Sequence, residues 1–394
     1  MKVLHLYSGN LYGGIETLLS TLARLRHLAP EMQPEFGLCF HERLWDELAA
    51  TGAVVHDLGP VRISRPWTVG RARRRLRRVL VSSGPDVVVT HDSWPHAVFA
   101  PVVRRARVRL VHLVHGGLNG RHWLERLAGR TAPEMAIANS RFTAGSIGQV
   151  FQATRVETWN YPVSPPADRP SRTKIRGTME TSEETVVILQ ASRLERWKGQ
   201  AVHLEALGSL RDLPGWECWL AGGVQKAGEA EYLAELRAIA ERYGITERVR
   251  FLGHRTDVAD LMAAADIFCQ PNTGPEPFGI VFVEALHAGL PVVTSGFGGA
   301  AEIVDQDCGV LTTPGDAADV AGAVRNLIGD PGLRRRLGAA GPGRAEALTN
   351  TSRQLEALYA LLRSSALGGE SDRNPGPLES RGPGISTGPM GASR

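Results

Sequence analysis

The feature that most constrains the fold of this chain is a regular alternation between short apolar runs and longer amphipathic patterns. Runs such as VVVT and VVILQ are rich in β-branched residues, which is typical of strands buried on both faces of a parallel sheet. The stretches between such runs, for example 15–28 and 69–82, place apolar residues at helical spacing. Strands that alternate with helices in this way predict βαβ units, so the chain is predicted to be an α/β protein with doubly wound parallel sheets.

The alternation is interrupted at 161–174, where proline and charged residues are dense. This composition indicates an interdomain linker, and 394 residues exceed what one ordinary core accommodates. We therefore predict two tandem Rossmann-like domains that face each other across a cleft, with ligands at the carboxyl ends of the strands. The predicted strands are 3–7, 35–40, 54–58, 86–90, 110–115 and 135–138, then 186–190, 216–220, 249–252, 267–270, 291–294 and 310–312.

The same pattern sets the expected domain limits. We predict a first domain at 1–165 and a second at 166–343. Two helices are predicted past Ile328, at 333–339 and 344–362, and the last (extending to about 364) is expected to pack back onto the first domain. The tail at 367–394 is rich in Gly, Pro and Ser and has little apolar surface to bury, which predicts disorder.

Composition argues against several classes of protein. The hydrophobic share of 43% is that of a water-soluble globular chain, and no apolar run is long enough for a membrane span. The start, MKVLHLYSGN, resembles a first strand rather than a signal peptide, so a cytoplasmic location is expected. The four cysteines are scattered outside any C-x-x-C pair, which argues against a disulfide framework or a zinc site. The sequence carries no signal of oligomeric state.

Charge is mildly basic, at +4, and its densest run is RARRRLRR at Arg71 to Arg78. The run has the pattern of an amphipathic helix, and a solvated helix face is the favoured interpretation. Peripheral docking to an anionic membrane is the alternative. Nucleic-acid binding is not expected, because no stacking aromatic pattern accompanies the charge. Three tryptophans of the first half, Trp67, Trp94 and Trp123, match no ligand pattern, and core packing is expected for each.

The string EPFGIVFVEA carries the strongest functional signal. It places Glu276 in a Gly- and Pro-rich loop and Glu284 inside an otherwise apolar helix that begins near Gly279. A carboxylate in such surroundings is costly unless it is paired or hydrogen-bonded, and a ligand rich in hydroxyl groups would satisfy it. The first amides of the helix are free to bind phosphate. Two hydroxyl acceptors beside a phosphate cradle suit a nucleotide-sugar, whereas the structural alternative is a buried helix with one stray glutamate.

Further candidate residues follow strands of both predicted domains. SRLERWKG places Arg193 and Lys198 after the first strand of the second domain, where two fixed cations could neutralise a departing diphosphate without a metal. GNLYGGIE places Gly13 and Gly14 where the backbone can approach a ligand closely, although this motif taken alone is also consistent with a simple tight turn. LVHGG places His115 near the cleft, where it could hydrogen-bond a sugar hydroxyl or the transferring oxygen.

The sequence contains two candidate metal sites, and neither is predicted to bind a metal. His112 and His115 lie three residues apart on a strand and point to opposite faces. The pair Asp305 and Asp307 has the D-x-D spacing of some metal sites, but it lies in a loop where solvation is the favoured interpretation. No metal and no resident cofactor are therefore expected.

Taken together, these elements resemble the family 4 retaining glycosyltransferases of GT-B fold (glycosyl transferases group 1). The resemblance runs from Val3 to about Leu362 and rests on an ordered set: GGIE, VHGG, ANS, SRLERWKG, AGG, FLGHR and EPFGIVFVEALHAGLPVV. It implies that the second domain holds a nucleotide-diphosphate sugar, with a UDP- or GDP-sugar favoured. It also implies that the first domain holds a hydroxyl acceptor: a polysaccharide, a lipid or a small metabolite. Transfer with retention would then proceed without a metal and without an enzymic nucleophile.

The resemblance also implies a role for each candidate residue. Arg193 and Lys198 would bind the diphosphate. Gly13 and Gly14 would approach the phosphate from the opposite domain when the cleft closes. The remaining implied roles are donor-sugar binding by Glu276, ribose binding by Glu284, backbone contacts to sugar or phosphate from Phe278, Gly279 and Ile280, and a position beside the reacting carbon for His115.

Two alternatives stay open on the same fold. A sugar-nucleotide 2-epimerase shares the tandem architecture, but SRLERWKG and the paired glutamates argue against it. A non-catalytic nucleotide-sugar-binding subunit would normally have lost part of the residue set, whereas Arg193, Lys198, Glu276 and Glu284 are all present. Fold alone does not separate these classes.

Overall fold

The computed structural model describes residues 1–10, 13–166 and 171–367. Within these residues the strands are β1 (Lys2–Tyr7), β2 (Gln33–Leu38), β3 (Val54–Asp57), β4 (Val87–His91), β5 (Arg109–Val114), β6 (Met135–Ala138), β7 (Arg155–Thr158), β8 (Val186–Ala191), β9 (Trp216–Ala221), β10 (Val249–Gly253), β11 (Ile267–Gln270), β12 (Val292–Ser295) and β13 (Gly309–Thr312). The helices are α1 (Gly14–Arg24), α2 (Arg43–Ala50), α3 (Pro66–Ser83), α4 (Ser93–Arg105), α5 (Trp123–Ala128), α6 (Arg141–Ile147), α7 (Arg172–Thr178), α8 (Gln200–Gly208), α9 (Glu229–Arg242), α10 (Val258–Ala264), α11 (Ile280–His287), α12 (Ala300–Ile303), α13 (Ala317–Gly329), α14 (Pro331–Thr349) and α15 (Thr351–Leu367).

The described strands form two parallel sheets, one in each half of the chain. The first has the order β3-β2-β1-β4-β5-β6-β7 and the second β10-β9-β8-β11-β12-β13. Central strands such as β4 and β8 are buried along their whole length, as their largely apolar sequences predict. In both sheets the strand order reverses beside the first strand of the half, which opens a crevice at its carboxyl end. The predicted fold class, two tandem Rossmann-like domains, is confirmed.

Helices cover both faces of the first sheet. On one face α3 and α4 pack over Leu4, Leu6 and Val88, and α4, α5 and α6 continue the layer over β5 and β6. On the other face α1 packs over alternate residues of the same strands, and β5 also contacts α15 from the end of the described chain. Side chains of successive residues point to opposite faces of a strand, which is why one strand serves both layers.

The chain crosses between the two domains at two places that touch. The first is the segment after β7, where the Trp159 indole donates to the Gln354 carbonyl at 2.8 Å. The second is the junction of α14 and α15, where Thr349 exchanges two hydrogen bonds with Val163, at 3.2 Å and 3.4 Å. Helix α15 is thereby held against the first domain.

Several predicted boundaries were wrong. Strand β7 was not predicted because RVET is polar and mostly exposed, as expected of an edge strand. The helix predicted at 344–362 does not begin there, since α14 continues through Pro342 and ends at Thr349. Strand β2 begins two residues earlier than predicted. The expectation of a disordered tail concerns 368–394 and lies outside the described residues. No helix in the described ranges has the length and apolar character needed to cross a membrane.

Candidate active site

A cavity of about 440 Å³ lies between the two domains, at the carboxyl ends of β1, β5, β8 and β11. The sequence-predicted residues all line it, although they come from distant parts of the chain. They are Gly13, Gly14, His115, Arg193, Lys198, Glu276, Phe278, Gly279, Ile280 and Glu284. The cleft is therefore the one place where these groups can act on a single ligand.

The Glu276 carboxylate lies at the centre of a buried polar network. Its Oε2 accepts from Lys198 Nζ at 2.6 Å and from Asn272 Nδ2 at 3.0 Å, and both charged side chains are about nine-tenths buried. Behind it, Gln270 donates to Asn272 Oδ1 at 3.0 Å. A buried ion pair is tolerated only with such additional hydrogen bonds. The network fixes one carboxylate oxygen toward Lys198 and leaves the other without a partner among the described residues.

The loop that carries Glu276 turns sharply into helix α11. Gly279 caps the helix with φ of 103°, a left-handed conformation that glycine adopts without strain. A Cβ there would lie 2.5 Å from the Phe282 ring. The first amides of a helix lack partners within it, and Gly279, Ile280 and Val281 at the start of α11 line the cavity, where free amides would suit a phosphate. Phe278 is buried against Tyr161 of the interdomain segment, with ring centroids 5.1 Å apart.

Glu284 lies one turn along α11, and no described residue gives its carboxylate a hydrogen bond or ion pair. Burial raises the pKa of this group to about 7. Part of the residue opens onto the cavity, so a ligand can reach it. An acceptor that is unpaired and only partly solvated is the situation that a hydroxyl-bearing ligand would relieve.

The two cations of the second domain differ in freedom. Lys198 is held over the Trp197 ring, with Nζ 3.9 Å from the ring centroid, and is paired with Glu276. Arg193 is less constrained, because its side chain is 43% exposed and, among the described residues, its one ion pair is with Glu195, at 3.0 Å. One buried and one more exposed cation therefore line the cavity.

His115 belongs to a chain of buried ring contacts in the first domain. Its Nδ1 bonds the Tyr161 hydroxyl, and its Nε2 lies 3.0 Å from His91 Nδ1. His91 Nε2 in turn lies 2.9 Å from His5 Nδ1. Burial lowers the pKa of His115 to about 3, so the ring is neutral at pH 7. Both ring nitrogens are already engaged, which makes a proton-shuttling imidazolium at this position unfavourable.

The opposite wall of the cavity is the start of α1. Gly13 is the N-cap, and a Cβ on Gly14 would lie 3.6 Å from the Ile280 side chain of the other domain. Glu16, which was not among the predicted site residues, follows in the first turn and accepts from the Tyr7 hydroxyl at 2.8 Å. Burial raises the pKa of Glu16, while the Tyr7 hydrogen bond opposes that shift.

Two side chains join the domains directly beside the Glu276 loop. The Ser140 hydroxyl, at the start of α6, donates to the Pro277 carbonyl at 2.5 Å. Glu302 of α12 accepts from the backbone amides of Arg141 and Phe142 at 3.0 Å and 2.8 Å. Glu302 thus caps a helix of the other domain. Neither residue was predicted, because they are brought together only by the packing of two separate sheets.

The D-x-D pair does not form a ligand cluster. Asp305 is paired with Arg344 at 3.3 Å, and the Asp307 amide donates to Asp305. Across the described part of the chain, no group of three His, Cys, Asp or Glu side chains is arranged to hold a metal ion. Cys308 contacts Asp305, and burial raises the pKa of that thiol to about 11.

Family comparison divides the chain at the same linker as the fold. Residues 12–165 match the model of Glycosyltransferase Family 4, and residues 171–344 match Glycosyl transferases group 1. The two matches together cover most of the chain, and each corresponds to one of the two domains that are built on the sheets.

The similar proteins carry the names of glycosyltransferases with different acceptors. The chain is 28% identical to a phosphatidyl-myo-inositol mannosyltransferase of Mycobacterium leprae, over 69% of this chain and 84% of that protein. It is 26% identical to the lipopolysaccharide core biosynthesis glycosyltransferase LpsD of Rhizobium meliloti, over 86% of this chain and 92% of the relative. The crystal structure of Anabaena HepE in complex with UDP-glucose superposes with a TM-score of 0.81 at 26% identity, covering 92% of this chain and 100% of that one.

These matches confirm the family resemblance and the GT-B architecture. Since the relatives are named as glycosyltransferases across both domains, the predicted enzyme class is confirmed as well. The chain belongs to the family 4, group 1 glycosyltransferases and is a sugar-transferring enzyme of GT-B fold.

Proposed function

We propose that this enzyme transfers a sugar, with retention and without a metal, from a nucleotide-diphosphate sugar to a hydroxyl acceptor in the first domain. The observation that carries the proposal is the joint presence in one cleft of Glu276, Lys198, Arg193 and the unpaired Glu284 beside the start of α11. A UDP- or GDP-sugar is the favoured donor. Support for UDP comes from Anabaena HepE, whose crystals contain UDP and UDP-glucose.

In this proposal the second domain binds the donor by charge and by hydroxyl recognition. Arg193 and Lys198 neutralise the diphosphate as charge develops on the leaving oxygen, which is the largest electrostatic demand of the reaction. The first amides of α11, at Gly279 and Ile280, bind a phosphate oxygen or a sugar hydroxyl. Glu284 accepts from the ribose hydroxyls, which satisfies its carboxylate. Phe278 shapes the loop and offers its backbone amide.

The carboxylate of Glu276 is better suited to hydroxyl binding than to nucleophilic attack. One of its oxygens is committed to Lys198 and Asn272, and the other is free to accept from the donor sugar. Without attack by a protein nucleophile, retention follows if the acceptor oxygen bonds to the reacting carbon on the face from which the phosphate departs. The bond from the carbon to the phosphate oxygen breaks, and that oxygen takes the acceptor proton.

The first domain supplies the other wall of the reaction site. Gly13 and Gly14 let the backbone approach the diphosphate, because no side chain intervenes. His115 lies beside the reacting carbon as a neutral ring whose orientation is set by Tyr161 and His91. Its backbone carbonyl is fixed by Asn139 Nδ2 at 3.1 Å. These groups position the sugar and require no change in protonation.

Donor binding is tested by a thermal-shift screen of UDP-, GDP-, ADP- and dTDP-sugars in EDTA. A ligand that binds the folded state raises the melting temperature by mass action, so one donor series should give a selective shift. A shift that appears only when a divalent metal replaces EDTA would overturn the metal-independent part of the proposal. The absence of any shift under both conditions would argue against a preformed donor site.

Catalysis is tested separately by nucleotide release from the donor found in that screen. Glu276→Gln should lower this rate by about two orders of magnitude, as expected for a contact to the reacting sugar. Glu235→Gln is the matched control, because Glu235 is an exposed carboxylate of the same domain, paired with Arg196 at 2.6 Å. Donor binding without nucleotide release in the wild-type protein would favour the non-catalytic subunit.

A further inference from the structure

Helix α3 presents an exposed stripe with cations in the middle and apolar residues at both ends. Trp67 and Val81 are 65% and 88% exposed, which is unusual for large apolar side chains. Between them Arg71, Arg74 and Arg78 are also exposed. The steps of four and three residues place all five on one side of the helix. The opposite side is buried in the first-domain core through Ala72, Leu76 and Leu80.

No acidic residue accompanies this positive charge locally. The segment 58–85 contains eight arginines and neither Asp nor Glu. Arg75 is paired with Asp57 at 2.7 Å, and Arg73 donates to the Val98 carbonyl at 2.6 Å. Among the described residues, the three arginines of the stripe have no such partner. Their guanidinium groups are therefore available to an external anion.

We propose that α3 docks this protein onto an anionic phospholipid bilayer. A helix lying in the interface places apolar side chains in the boundary region and arginines among the headgroup phosphates. The stripe offers both chemistries along one line of α3, from Trp67 to Val81, a distance of about 21 Å. Tryptophan is one of the two residue types that are enriched at that depth. Nucleic acid would satisfy the arginines but would leave Val81 without an apolar environment.

Neighbouring helices extend the same edge of the domain. Helices α4, α5 and α6 each carry an aromatic residue in the first turn, as α3 does: Trp94, Trp123 and Phe142. Trp123 and Phe142 are 50% and 37% exposed. Because these helices follow the carboxyl ends of their strands, their first turns lie at the edge that also borders the cleft. Docking at this edge would bring the acceptor side of the cleft to the membrane surface, a consequence that rests on the proposed function.

The test is co-sedimentation of the full chain with vesicles of phosphatidylcholine, with and without phosphatidylglycerol at about 30 mol%. Wild-type protein should bind the anionic vesicles at low salt and lose most of this binding as salt rises. The triple variant Arg71→Gln, Arg74→Gln, Arg78→Gln should bind about a hundredfold more weakly, since each arginine contributes about fivefold. Glutamine keeps the helical propensity of arginine.

A matched control removes the same charge elsewhere. The triple variant Arg335→Gln, Arg336→Gln, Arg363→Gln changes exposed arginines of α14 and α15, and it should bind as wild type does. Equal loss in both triple variants, or equal binding of charged and neutral vesicles, would overturn the proposal.

A single apolar change tests the ends of the stripe. Trp67→Ala should weaken vesicle binding and remove a blue shift in tryptophan fluorescence that the wild type shows with anionic vesicles. Binding to RNA or DNA with no vesicle binding would also overturn the proposal. Circular dichroism of each variant verifies that α3 and the domain remain folded, and the measured quantity is independent of sugar transfer.

Discussion

Lowering the pH should unfold the first domain well before the second, because the first domain buries a set of neutral histidines. Burial lowers the pKa of His5 to about 3, of His96 to about 4 and of His115 to about 3. It also holds the pKa values of His91 and His112 well below the ordinary range. In the unfolded chain these groups titrate near 6.5.

The sign of the effect follows from proton linkage. Below pH 6.5 these histidines are protonated in the unfolded chain but stay neutral in the folded domain. The free energy of unfolding therefore falls as the pH is lowered, until the folded pKa values are reached. At pH 5 each histidine with a folded pKa of 4 or lower has lost about 2 kcal/mol of stability relative to pH 7.5. His5, His96 and His115 together then account for about 6 kcal/mol, comparable to the whole stability of an ordinary domain.

Two carboxyl groups of the same domain act in the opposite sense. Burial raises the pKa of Glu16 and of Asp92, so their protonation in acid offsets part of the loss. In the described part of the second domain, burial lowers the pKa of His203 to about 3. The second domain serves as an internal control, in which His203 accounts for about 2 kcal/mol.

The assay is calorimetric unfolding at pH 7.5 and pH 5, with hydrogen exchange to assign each transition to a domain. The first-domain transition should fall by roughly 15 °C, since 1 kcal/mol corresponds to about 2–4 °C for a domain of this size. Peptides covering β1, β4 and β5 should lose protection before those covering β8 and β9. Equal shifts in the two domains, or an unchanged first transition at pH 5, would refute the reasoning.

Further predictions concern the contacts around the donor loop. Ser140→Ala should lower nucleotide release several-fold with little change in donor affinity, because the hydrogen bond to the Pro277 carbonyl is lost, whereas Ser140→Thr keeps the hydroxyl and should retain the rate. Initial rates of both variants check this, and a wild-type rate in the alanine variant contradicts it. Glu284→Gln should bind the donor at least tenfold more weakly. Because burial raises the pKa of Glu284 to about 7, its charging costs stability as pH rises, so the glutamine variant should be more stable than wild type at pH 8. Water from the cleft limits this gain to about 1–2 kcal/mol, and it should vanish near pH 4.5 in thermal unfolding; an equal difference at both pH values would exclude the charge as its cause.

The parts of the fold predictable from sequence are those encoded by local pattern. Strands such as β4 and β8 contain apolar runs, and the sequence predicts Arg193 at the carboxyl end of β8 and His115 at the carboxyl end of β5. Strand β7 carries no apolar run, because an edge strand on a polar surface does not need one. Helix propensity likewise does not predict that α14 continues through Pro342. Its continuation depends on the close packing of Gly338 and Gly341 against α11 and the loop that follows α11.

The parts of the site that escaped prediction are those created by tertiary contact. Glu276 was identifiable from its unusual position, but its partner Asn272 and the cross-domain bond from Ser140 to Pro277 depend on how loops meet. The histidine chain from His115 through His91 to His5 joins three strands that are adjacent only in the folded sheet. Each of these strands looks, in isolation, like ordinary core with one stray polar residue.

The meeting of the two interdomain crossings has a consequence for how the cleft opens. Val163 and Thr349 are hydrogen-bonded to each other, so both covalent connections pass through one point. Separation of the domains is therefore restricted at this point. If one domain rotates about this pivot, displacement grows with distance from it. Side chains on the far rim of the cleft lie farthest from the pivot and would therefore be displaced most. A pair of fluorophores placed there should report opening with the largest change in separation, while labels near Val163 should report almost none.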